Sequence, residues 1–231
     1  LTANAFLAQR ISSINSISAI CEVTGADIDQ VRKAIGKDTR IGEKFLSSGP
    51  GFGGSCFQKD ILNLVYLASH YNLEEVANYW QGVIDINNWQ KERISKLIVN
   101  YLFGNVSEKK IAILGFAFKA NTNDTRQSPS IDICRDLLEE GAKLAIYDPK
   151  VEKSKINNDL IKSFGNHDYG KWEIVSSVSE ASNGSDAIIV LTEWEEFLHI
   201  NWEEIINSMR KPAWLFDTRL CINYKSAKRA G

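Results

Sequence analysis

The chain has 231 residues, is 44% hydrophobic and 24% charged, and carries a net charge of −2, the composition of a soluble globular protein with one large domain or two ordinary ones. No basic run or aromatic-interleaved patch marks a nucleic-acid surface, and no apolar run approaches the about eighteen residues of a membrane span. Cys21, Cys56, Cys134 and Cys221 stand far apart with no C-x-x-C pair, which disfavours zinc or another metal and fits free thiols in a reducing compartment, the cytoplasm by default.

Helical periodicity begins at the first residues. Leu7, Ile11, Ile14, Ile17 and Cys21 recur at three- and four-residue steps with Ser12, Ser13, Asn15 and Ser16 between them, which predicts an amphipathic helix ending near Gly25. Asp27 is placed to cap a second helix with Ile28, Val31 and Ile35 as its buried stripe and Gly36 as its stop. Arg40 and Lys44 follow, and by composition alone each reads as a solvated charge.

Gly49 to Asp60 reads GPGFGGSCFQKD and is too rich in glycine for a helix or strand interior. Gly51, Gly53 and Gly54 can take positive φ and offer bare backbone N–H groups to a phosphate or sugar hydroxyl. Cys56 falls in or just before the first turn of the next helix, where the dipole and Lys59 favour a thiolate. From residues alone, a nucleophile and an inert cysteine in a tight turn are equally compatible with this loop.

After a break at Asn72-Leu73-Glu74, a long pattern runs to Leu102, with Val76, Tyr79, Val83, Ile86, Ile94, Leu97, Ile98 and Leu102 on one side. Its length suggests a spine connecting two domains, residues 1–104 and 105–231, with Trp80 and Trp89 in the core or a subunit contact. Beyond Gly104-Asn105 short strands are expected at Lys110–Leu114, Lys143–Tyr147, Ala187–Leu191 and Ala213–Phe216. Helices are expected at Pro129–Glu140, started by Ser128-Pro129, and around Trp202–Met209. The fold class is therefore α/β: an all-helical domain with a long connecting helix, then a doubly wound parallel sheet of Rossmann-like type.

The first strand of such a sheet should lead into G-x-G-x-x-G if it binds a dinucleotide. The chain has Gly115-Phe116-Ala117-Phe118-Lys119 instead, so this sheet is not expected to hold NAD in the usual way. Lys119, Asn121, Asp124, Arg126 and Arg219 fall near strand ends, where a lysine, two arginines and an aspartate suit a diphosphate.

GFGGSCFQKD closely resembles the catalytic-cysteine motif of the UDP-glucose 6-dehydrogenase family, in particular its eukaryotic form. The resemblance implies that Cys56 attacks an aldehyde to give a thiohemiacetal, then a thioester, with Lys59 and Asp60 as catalytic partners and Asp60 helping to order the hydrolytic water. G-F-A-F-K-A-N-T-N-D-T-R-x-S is similar to the family's second signature, which implies that Lys119, with Phe118, contacts the UDP-sugar and that Arg126 reaches NAD. Cys56 and Lys59 would lie near that cofactor too. Phe216-Asp217-Thr218-Arg219 matches a late F-D-x-R element and implies a substrate contact from Arg219, although Thr218 and Leu220 depart from the family pattern. The same resemblance implies substrate contacts from Leu1, Asn4, Phe45, Ser47, Gly51, Phe52 and Gly53, with Arg40 reaching a neighbouring subunit's pocket and Trp194 forming a wall.

The family's catalytic lysine would precede Leu1, so the sequence is expected to be part of a longer protein, without the N-terminal domain that holds most of the NAD. By the resemblance the whole enzyme would oxidise UDP-glucose to UDP-glucuronate with two NAD, as a homodimer through the helical domain or a higher oligomer, and the fragment would not turn over alone. Three alternatives stay open: a dehydrogenase of GDP-mannose or a UDP-N-acetylhexosamine, a non-catalytic nucleotide-sugar-binding or dimerisation module, and a cysteine hydrolase pairing Cys56 with His70, His167 or His199.

Overall fold

The computed structural model describes residues 1–165 and 170–231, which form two compact units, Leu1–Lys91 and Glu92–Gly231. His167 lies outside the described residues. The division falls inside a helix rather than after Gly104, because Ile94, Ile98 and Leu102 pack into the core of the second unit.

The first unit is helical. Helix α1 (Thr2–Thr24) ends on Gly25 in the left-handed region, as expected, but its buried face differs from the expected stripe. Ile14 and Cys21 of that stripe are buried, but so are Ala5, Ala8, Ser12, Asn15 and Ser18, whereas Ile17, expected inside, is exposed together with Ile20 and Val23. Small side chains allow close helix approach, and the polar ones find partners: Ser12 Oγ donates to the Val83 carbonyl at 2.8 Å. Helix α2 (Ile28–Gly36) is capped by Asp27, which accepts from the N–H groups of Asp29 and Gln30. Its expected core residues Ile28, Val31 and Ile35 are only half-buried. Gly36 is not a left-handed stop; it is the last helical residue, and a Cβ there would meet the Glu43 side chain at 3.0 Å.

Helix α3 (Phe57–His70) follows the glycine loop, and helix α4 (Glu74–Tyr101) is the expected spine. In the first part of α4, Ala77, Val83, Ile84, Asn87 and Gln90 are buried; Val76 and Tyr79, expected inside, are exposed. Trp80 is half-buried with its ring edge on Phe6, 5.6 Å between centroids, while Trp89 is exposed. Ala5, Ala8, Phe52, Ile61, Val83 and Ile84 form the core of this unit.

The second unit is a five-stranded, wholly parallel sheet in the order β3-β2-β1-β4-β5. Its strands are β1 (Lys110–Leu114), β2 (Lys143–Tyr147), β3 (Lys171–Ile174), β4 (Ala187–Val190) and β5 (Trp214–Asp217). The helices are α5 (Pro129–Glu139), α6 (Lys153–Phe164), α7 (Val178–Ser182), α8 (Trp202–Ser208) and α9 (Tyr224–Ala230), with a 3-10 turn at Glu195–His199. Ser128 caps α5 by accepting from the Ser130 N–H. Ile111, Ala112, Ile113 and Leu114 of β1 and all of β4 are fully buried, as strands covered on both faces must be. The order reverses between β1 and β4, so the crevice at their C-terminal ends lies between Gly115–Lys119 and Leu191–Trp194.

Candidate active site

In the first unit Cys56 is the N-cap residue of α3, exposed, with its Sγ 3.8 Å from Ser55 Oγ. Lys59 and Asp60 follow at helical steps of three and four, which puts all three side chains on one face of the first turns. Asn4 Nδ2 donates to Asp60 Oδ2 at 2.7 Å, and the Leu1 nitrogen lies 3.6 Å from the same oxygen. The start of α1 and the start of α3 are thereby tied at the carboxylate expected to order water.

The loop before Cys56 is hung from buried amides. Asn87 Oδ1 accepts from the Phe52 N–H at 2.8 Å, and its Nδ2 donates to the Phe52 carbonyl at 3.3 Å. Asn15 Oδ1 accepts from the Gly49 N–H at 2.9 Å, while Gln90 Nε2 donates to the Gly49 carbonyl at 2.9 Å. Gly51 is required by this arrangement: at φ 123°, a Cβ would sit 2.8 Å from Asn87 Oδ1. Gly54 also has positive φ, at 84°, but Gly53 does not, and Gly51 to Gly54 are buried rather than bare. Phe52 is buried with its ring edge on Phe57 at 5.8 Å, and Phe45, at φ 60°, lies 6.5 Å from the same ring. Ser47 is exposed.

Arg10 donates to the carbonyls of Ile41, Gly42 and Lys44, which pins the segment leading to Phe45. Arg40 reaches into solvent and pairs with Asp38 at 2.6 Å. That hydrogen bond holds the Asp38 carboxyl below its usual range. Arg10, Asn15, Asn87 and Gln90 were not anticipated; the visible signal was confined to Asn87 and Gln90, polar side chains at the core spacing of the long helical pattern.

In the second unit the turn after β1 carries Phe118, half-buried, and Lys119, exposed, with the Lys119 ammonium 5.4 Å over the Phe118 ring. Arg126 is exposed and hydrogen-bonds Asp124 at 2.7 Å, which holds that carboxyl below its usual range. Arg219 turns inward: Nε donates to the Leu191 carbonyl at 2.8 Å, a terminal nitrogen donates to the Phe118 carbonyl at 3.2 Å, and Glu193 lies 3.2 Å away. Burial pushes its pKa down, opposed by the charge of Glu193. Trp194 is a buried hydrogen-bond donor to Asp148 at 3.1 Å rather than a bare wall. His70 closes α3 and His199 the 3-10 turn. No group of metal-ligating side chains occurs among the described residues.

Solved structures that this chain resembles include nucleotide-sugar dehydrogenases. A UDP-glucose dehydrogenase from Pyrobaculum islandicum is 26% identical, with a TM-score of 0.80 over 98% of this chain and 47% of that one. A UDP-D-ManNAc dehydrogenase from Pyrococcus horikoshii is also 26% identical, with a TM-score of 0.77 over 96% of this chain and 47% of that one. The UDP-glucose/GDP-mannose dehydrogenase family matches twice, by its central domain at residues 1–89 and its UDP-binding domain at residues 112–224.

The chain belongs to the UDP-glucose/GDP-mannose dehydrogenase family. It is 56% identical to the UDP-glucose 6-dehydrogenase of Caenorhabditis elegans and 52% identical to that of Drosophila melanogaster, in each case over the whole of this chain. The chain spans about half the length of these relatives, 48% and 49%.

Proposed function

We propose that this chain supplies the nucleophile and the nucleotide-sugar-receiving sheet of an NAD-dependent UDP-glucose 6-dehydrogenase, which converts UDP-glucose to UDP-glucuronate. The observation that carries this reading is Cys56 at the start of α3 with the Asn4-anchored Asp60 one turn on. The identity with relatives named UDP-glucose 6-dehydrogenase supports the choice of sugar. The C6 alcohol first loses a hydride from carbon and its hydroxyl proton to become the aldehyde. Cys56 Sγ adds to that aldehyde, the carbonyl pair moves to oxygen, and protonation gives a thiohemiacetal. Loss of its remaining C6 hydrogen as hydride and of the hydroxyl proton leaves a thioester. Water, oriented by Asp60, adds to the thioester carbon; the C–S bond breaks, returning the thiol and a carboxylate. Lys59, on the same turn, places positive charge beside the oxygen that becomes anionic. NAD, when bound, accepts the hydride in each of the two oxidations.

Substrate contacts are assigned to Leu1, Asn4, Arg40, Phe45, Ser47, Gly51, Phe52 and Gly53 in the first unit and to Phe118, Lys119 and Arg219 in the second. Arg126 is assigned to NAD held elsewhere, because the N–H groups of Gly115, Phe116, Ala117 and Phe118 in the turn after β1 are already bonded within the unit. Exposed Ile17, Ile20 and Val23 at three-residue steps on α1 support a homodimer through the helical unit. Four free cysteines support a cytoplasmic setting.

The test is NADH formation by the full-length protein. UDP-glucose should reduce two NAD per sugar, Cys56→Ala should abolish turnover, and this chain alone should give none. Comparable turnover of GDP-mannose would move the assignment to another member of the family. Turnover retained by Cys56→Ala would overturn the mechanism.

A further inference from the structure

Asp148 directly follows β2 and is buried, at 8% exposure, yet its carboxylate accepts five hydrogen bonds. Oδ1 takes the N–H groups of Lys150 and Val151, each at 2.9 Å, and so caps its own Asp-Pro turn. Oδ2 does something local turn chemistry does not require. It reaches back to the N–H groups of Phe116 at 2.7 Å and Ala117 at 3.0 Å, and takes the Trp194 indole N–H.

Those two N–H groups open the turn after the first strand, where a dinucleotide-binding sheet presents main-chain donors to a pyrophosphate. The rest of the turn is equally engaged. The Gly115 N–H goes to the Tyr147 carbonyl and the Phe118 N–H to the Asp124 carbonyl. The carbonyls of Gly115, Phe116, Ala117 and Phe118 accept from Ser130, Ser128, Thr192 and Arg219 respectively. A Cβ on Gly115 would lie 2.4 Å from the Thr192 Cβ, so the two strand ends are locked in contact.

We propose that Asp148 is the specificity-determining and positioning residue of this unit: its carboxylate is a built-in anion that fills the dinucleotide-phosphate position of the turn. The unit is thereby closed to NAD, and the Phe118–Lys119 segment is fixed so that phosphate charge must be met by side-chain cations instead. The second half rests on the proposed nucleotide-sugar function; the first does not.

The test uses this chain with Asp148→Ala and Asp148→Asn. Asp148→Ala removes a formate-sized anion, so its melting temperature should fall and be raised again by sodium formate more than by sodium chloride at equal ionic strength. Calorimetric titration should show UDP-glucose binding weakened about tenfold in both variants, with formate restoring the alanine variant, since orphaned buried donors release the turn. Iodoacetamide labelling of Cys56 should proceed at the unmodified rate, separating a local effect from general unfolding. Asp148→Asn keeps the shape and one acceptor oxygen, so it reports even if the alanine variant does not fold. Formate acting no better than chloride, or unweakened UDP-glucose binding in Asp148→Asn, would overturn the proposal. Formate rescue together with no UDP-glucose binding by the unmodified chain would uphold the anion position and reject the proposed function instead.

Discussion

Asn87→Ala isolates the support beneath the cysteine loop. The substitution removes the acceptor of the Phe52 N–H and the donor to the Phe52 carbonyl at a site where Asn87 is 4% and Phe52 6% exposed. An orphaned buried N–H costs about 1–3 kcal/mol, and the longer 3.3 Å bond contributes less, so local stability of the loop should fall by about 2–3 kcal/mol. At tenfold per 1.4 kcal/mol, the Phe52 amide should exchange with deuterium roughly 30- to 140-fold faster. Hydrogen exchange read by mass spectrometry on the peptide spanning Gly49 to Phe57 measures this, with β1 amides of the second unit as an internal reference. An acceleration below about threefold, or an equal one in β1, would refute the view that α4 carries the loop.

Two glycines of similar backbone sign should respond differently to alanine. Gly25 at φ 74° has nothing within 4 Å of a new Cβ and should lose only the about 1–2 kcal/mol of the left-handed conformation. Gly115 at φ 93° would also drive its Cβ to 2.7 Å from the Thr192 backbone nitrogen, so Gly115→Ala should cost about 2–5 kcal/mol in urea denaturation; equal losses would contradict the packing argument. Burial pushes the Cys221 thiol and the Tyr147 hydroxyl up to about 12, from ordinary values of 9.0 and 10.0, and raises Cys134 as well. The stability these neutral groups hold is complete below pH 9.0 and is lost as pH rises towards about 12, so the melting temperature should fall above pH 9; a flat profile to pH 11 would count against it.

Strong hydrophobic periodicity and end signals made the central elements readable. The bounds of β1, β2 and the long helix follow from runs such as Lys110–Leu114, and Ser128-Pro129 announced α5. What escaped had weak local patterns: β3 is an edge strand of four residues alternating a charged and an apolar side chain, and α6 has no side-chain cap. Helix α1 misled in part because Ala, Ser and Asn share its buried face with Ile14 and Cys21, while Ile17 and Ile20 turn outward. The motif residues were legible because Cys56, Lys59 and Asp60 lie on one helix turn. Asn15, Asn87 and Asp148 were not, because each acts on backbone more than thirty residues away, and no spacing rule encodes such a pairing.

The account stands most directly on a calorimetric titration of this chain with UDP-glucose, with GDP-mannose and UDP-N-acetylglucosamine alongside. It predicts saturable binding of UDP-glucose, weaker binding of the other two, and at least tenfold loss in Lys119→Ala, whose exposed ammonium stands over Phe118 at the strand crevice. Binding that is unchanged in Lys119→Ala, or a preference for GDP-mannose, would contradict it.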